Sequence, residues 1–145
     1  MTTAAHEAIQ VRGRWRLCGW CVAAVLVEVG LYASYRGHDA RFHWFTHFFV
    51  GAATALAAMS VVVVVGRRPV ARPLVWPLAA HLFVMTPDLL FTAGYAHRRW
   101  MDLFLGHIAV HFAPGRNWTW LTVFLLALAG YLTAVDRTRP AVGAA

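Results

Sequence analysis

The chain has 145 residues, of which 60% are hydrophobic, and its mean hydropathy is +0.57. Soluble domains average about 45–50% apolar residues, and the excess here lies in long runs, which excludes an ordinary soluble fold. The net charge is +7 and all thirteen basic residues are arginines; they stand at the ends of apolar runs, where they set topology and meet lipid phosphates, so the charge does not imply nucleic-acid binding.

Four spans are expected, at about 17–35, 42–65, 74–96 and 117–135. Each is close to the length of roughly 20 residues that a hydrocarbon core requires. With no water to satisfy the backbone, each is read as an α-helix. Between the third and fourth lies 100–113, too short to span, expected as a short interfacial or re-entrant helix. The fold class is therefore all-α integral membrane, one domain of four transmembrane helices, with disordered tails at about 1–12 and 138–145.

The first span opens on Cys18-Gly-Trp-Cys21. In a soluble protein that C-x-x-C would suggest redox chemistry. At the start of an apolar helix it is read as two small membrane-buried residues. Residues 1–14 carry His6, Glu7, Arg12 and Arg14, and no A-x-A site follows, so no cleavable signal peptide is expected.

Arginine placement sets the orientation. Arg12, Arg14, Arg16, Arg67, Arg68, Arg72, Arg137 and Arg139 fall on one side, and Arg36, Arg41, Arg98, Arg99 and Arg116 on the other. The positive-inside rule places both termini in the cytoplasm.

Ionisable residues inside a bilayer are costly and mark functional sites. Helical spacing in span two aligns His43, His47, Gly51, Thr54 and Ala58, a small polar face expected to meet other helices. Span three aligns His81, Met85, Asp88, Thr92 and Tyr95, with Pro87 freeing a backbone carbonyl beside Asp88. Span one carries Glu28, with Cys21, Ala24, Tyr32 and Tyr35 on the same side. Span four has no interior ionisable residue and reads as packing, with Trp118 and Trp120 as interfacial anchors.

On this topology His38, His43, His47, His97, Asp102, His107 and His111 crowd into the outer leaflet and its border, with Asp88 at mid-depth. Imidazole and carboxylate together are ligands for zinc, iron and manganese. Two histidines at i and i+4 grip one ion from a single face, and His43/His47 and His107/His111 are two such pairs. Against this, a single histidine at a wet–apolar border is an ordinary hydrogen-bonder. Glu28 equally suits a pairing with an Arg or His. Asp102 is placed for a helix salt bridge with Arg98, and His81 reads as an interhelical hydrogen-bonder rather than a ligand.

The run Thr46-His47-Phe48-Phe49-Val50-Gly51, followed by Pro87-Asp88, His97-Arg98 and His107, resembles the T-H-x-x-x-G, Pro-Asp and His-Arg…His pattern of the membrane-bound metal-dependent hydrolases that include a LexA-regulated inner-membrane protein of enteric bacteria. The resemblance covers roughly residues 43–111. Leu90 stands where that family has a second acidic residue, and His97 and His107 are more widely spaced than in the family. It implies a bacterial inner-membrane protein with a hydrolytic metal site, and it implies His47, Asp88, His97 and His107 as ligands.

The expectation is a metal site, zinc first, at the extracytoplasmic border. His43, His111 and Asp102 form a second group of ligands, and Asp102 or Glu28 a general base. Arg41, Arg98 and Arg99 would meet a phosphate or carboxylate on a lipid or other amphiphile arriving laterally. Three rivals stand beside it. A b-type haem would need facing histidines; His47 and His81 sit at different depths on this topology, leaving His43 or His47 with His97. A non-catalytic subunit of a homo-oligomer or larger complex would use the same residues as glue. Ion transport would spread ligands through the full depth.

Overall fold

The computed structural model describes residues 3–35, 41–96, 98–115 and 117–138, with side chains described from Trp15 onward except 34–35 and 41–43. Among the described residues four helices are long and apolar enough to cross a membrane. They are α1 (Thr3–Tyr35), α2 (Arg41–Gly66), α3 (Val75–Thr92) and α4 (Asn117–Arg137). The all-helical, multi-pass membrane architecture read from the sequence is the one observed. Helix α1 begins at Thr3, within the stretch expected to be a disordered tail. Its early residues, Ala4, Ala5, Glu7, Ala8 and Gln10, are mostly strong helix formers.

Helix α2 is the centre of the bundle, packing against α3 and α4. Its buried face is Val50, Ala52, Ala53, Ala55, Leu56, Met59 and Val63. Lipid tails are as apolar as leucine, so small residues that admit close backbone approach drive helix pairing in a membrane. Gly51 shows this directly: a Cβ there would lie 2.8 Å from the His81 Cα and backbone nitrogen. The small polar face of α2 holds only in part, because Thr54 and Ala58 are exposed. Thr54 needs no interhelical partner, since its hydroxyl donates to the Val50 carbonyl one turn back. Likewise on α3, His81, Met85 and Asp88 are buried, while Thr92 and Tyr95 are exposed.

Helix α3 ends at Thr92, short of the expected 96. Gly94, at φ 93°, takes the left-handed conformation that stops a helix. The Tyr95 and Gly94 amides donate to the Leu90 and Phe91 carbonyls, the paired bonds of a Schellman cap.

The segment after α3 is not one helix. It forms two 3-10 turns, Arg99–Leu103 and Ala109–Phe112. Between them Leu105 and Gly106 have φ of 54° and 69°, a conformation no helix continues through. The segment re-enters the bundle end: Met101 and Val110 are buried, and Val110 packs with Val50 and Val84. Trp120 is no simple interfacial anchor, because its indole N–H donates to the Val110 carbonyl at 3.0 Å and ties the segment to α4. The outward faces stay apolar, with Leu26, Val65 and Leu126 at 66%, 79% and 68% exposure, a surface suited to lipid rather than water.

Candidate metal centre

The polar residues buried at the re-entrant end form one cluster. Helix α2 supplies His47, α3 supplies Asp88, and the re-entrant segment supplies His107 and His111. Asp88 lies between two imidazoles: Oδ2 is 3.2 Å from His47 Nε2 and Oδ1 is 3.2 Å from His107 Nε2. The His47 and His107 rings stack with centroids 4.4 Å apart, and His111 meets His47 edge-on at 4.9 Å. One nitrogen from each of His47, His107 and His111 falls within 4.8 Å of the others, a group able to hold a metal ion. His47 is fully buried, while His111 is half-buried and marks the open side.

Local sequence explains the alignment. Pro87 has no N–H to give the Phe83 carbonyl four residues back, so the preceding turn of α3 lacks one ladder bond. In that turn the Val84 carbonyl accepts from His107 Nδ1 at 3.0 Å. This bond fixes the His107 tautomer: the neutral ring carries its proton on Nδ1, and Nε2 turns a lone pair toward Asp88. A lone pair facing a carboxylate at 3.2 Å needs a cation or an added proton between them. A histidine oriented through its second nitrogen by a carbonyl is the usual support of a metal-binding imidazole.

Of the residues singled out in the sequence, the fold unites His47, Asp88, His107 and His111. Asp102 stays outside. It is exposed, and its Oδ1 accepts from the Ile108 and Ala109 amides at 2.7 and 3.1 Å, capping the turn that carries His107 and His111. It therefore shapes the segment instead of pairing with Arg98. Arg98 and Arg99 are exposed at the start of that segment. The side chains of Arg41 and His43, and all of His97 and Arg116, lie outside the described residues.

Glu28 also lies apart from the cluster. Its two carboxylate oxygens are 3.0 and 2.9 Å from Nδ1 of the buried His81, joining α1 to α3. His81 is therefore an interhelical hydrogen-bonder, as its position suggests. Its expected depth needs correction: its ring packs edge-on to Trp44 and Phe48, at 5.5 and 5.4 Å, within a turn of His47 along α2. Direction, not depth, separates the two histidines, since one turns to Asp88 and the other to Glu28. The haem pairing of His43 or His47 with His97 involves groups that lie outside the described residues.

Two contacts escaped sequence reasoning. Thr46 donates to the Asn117 side-chain oxygen, holding α2 to the start of α4 beside His47. Trp120 secures the His111 side of the segment through Val110. The only sequence signal for either was a polar group near a helix end.

Compared with protein-family models, with curated proteins and with solved structures, the chain matches none of them. The reading of the site therefore rests on its geometry.

Proposed function

We propose that the chain is a membrane-embedded metal-dependent hydrolase acting at the extracytoplasmic border on a lipid or other amphiphile. The observation that carries this is Asp88 set between His47 Nε2 and His107 Nε2, with His111 completing a three-nitrogen group on an open side. Three imidazoles are a donor set that catalytic zinc sites use, with the fourth position left to water or substrate. Bound there, zinc would supply Lewis acidity and lower the pKa of a coordinated water to about 7.

The chain's own residues have definable tasks. His107 is held to one tautomer by the Val84 carbonyl, so its Nε2 is always the donor atom. Asp88, 3.2 Å from both imidazoles, would offset charge at a bound ion and would be the nearest carboxylate to take a proton from water. Its burial beside His47 keeps bulk water from competing. Arg98 and Arg99, exposed on the same segment, would hold a phosphate or carboxylate of the substrate at the membrane border. The resemblance to membrane-bound hydrolases points the same way.

Elemental analysis of purified protein is the test. One zinc per chain is expected in the wild type and a several-fold loss in His47→Ala and Asp88→Ala. Wild-type protein purified without chelator and free of stoichiometric metal refutes the reading.

A further inference from the structure

A sizeable cavity among the described residues lies away from the histidine cluster. It holds about 580 Å³ and is bounded by all four helices, within the roughly 300–1,000 Å³ range of ligand sites. Helix α1 forms one wall through Ala24 and Val29, and α4 the opposite wall through Leu128 and Leu132. These two helices scarcely touch each other, so the chamber opens sideways between them. In a bilayer that opening faces lipid.

The lining is almost wholly apolar. Its one charged residue, Glu28, turns its carboxylate to His81. A polar ligand would lose its hydration there and find no partners, so the chamber selects a hydrocarbon chain. Its arginine-rich end is different. Pro73 and Leu74 line both the chamber and a small adjoining hollow formed with Leu17, Trp20 and Arg72. There the Arg72 guanidinium lies over the Trp20 ring, 5.9 Å from its centroid. Stacking leaves the edge of a guanidinium free to grip a phosphate. Arg67 and Arg68, in the same connection, are also exposed. Basic pockets between transmembrane helices are sites for anionic head groups.

We propose that this chamber takes one acyl chain of an anionic phospholipid, with the phosphate on Arg72 beside Trp20. The lipid fills the gap between α1 and α4 and so completes a bundle whose first helix is otherwise lightly attached. This site is independent of the histidine cluster and of any activity there.

The probe is phosphatidylglycerol carrying a mid-chain diazirine, applied to the full-length protein in detergent. Photolabelling is expected on chamber residues, Ala24 and Val29 of α1 and Leu128 of α4. Unlabelled phosphatidylglycerol should compete about five-fold better than phosphatidylcholine, and Arg72→Gln should erase that preference. Ala24→Trp, which fills the chamber, should abolish the labelling. Labelling confined to the outward Leu26, Leu125 and Leu126 overturns the proposal, as does equal competition by the two lipids. The label map and the competition are read on wild-type protein, so a misfolded variant does not shield the idea.

Discussion

Gly51→Ala gives the most direct test of how the bundle sets the site. A Cβ at position 51 would sit 2.8 Å from both Cα and N of His81 and 3.0 Å from the Ala80 carbonyl carbon. Ordinary contact begins at 3.4 Å, so α2 and α3 must separate by about 0.6 Å. The obstacle is backbone, which cannot swing aside as a side-chain tip would. Overpacking of this kind costs typically about 1–3 kcal/mol. The separation acts at the crossing that aligns His47, one turn earlier on α2, with Asp88, two turns later on α3. Their 3.2 Å contact should lengthen, with metal affinity falling about 10-fold or more. Gly19 and Gly130, where an added Cβ meets nothing within 4 Å, serve as controls. At those sites the Ala change should be neutral or slightly stabilising, by up to about 1 kcal/mol. The assay is equilibrium unfolding in mixed micelles together with zinc titration. Wild-type stability and wild-type zinc affinity in Gly51→Ala would refute the close-packing argument.

Other substitutions separate structural from chemical roles. Pro87→Ala returns an N–H for the Phe83 carbonyl and should strengthen α3; closing that turn should also shift the neighbouring Val84 carbonyl away from His107 Nδ1, so zinc affinity should drop about tenfold even as thermal stability rises, and a rise in both would contradict the proline's role. Asp102→Ala removes the acceptor for two amides and should destabilise the His107 turn by about 1 kcal/mol, whereas Asp102→Asn retains an acceptor oxygen and should recover most zinc binding. Loss of turnover in Asp102→Asn with zinc still bound would instead mark it as a general base. Trp120→Phe deletes the donor to Val110, worth about 1 kcal/mol, and should speed proteolysis near Leu105–Gly106 without unfolding the four helices. Unchanged cleavage would show that the segment is held elsewhere.

The four apolar helices and the gathering of His47, His107 and His111 were legible in the sequence, though the start of α1 and the end of α3 were not. Apolar length alone dictates a helix where no water satisfies the backbone, and a buried histidine or carboxylate stands out against leucine and valine. Residues 100–113 were harder. Their expected helix gives way at Leu105 and Gly106 to a reversal set by two left-handed conformations, and no periodicity signals that. The faces of α2 and α3 were only partly legible. Thr54 and Thr92 satisfy their hydroxyls on their own helices, so polarity did not report a partner. Tertiary structure alone decided the partnerships. It gave Glu28 to His81, made Asp102 a cap, and set Asp88 between His47 and His107. The reason is physical: composition fixes which groups must avoid lipid, but an imidazole or carboxylate can meet that need with several partners. The Gly51 crossing, the His107–Val84 bond and the loop after α3 select among them.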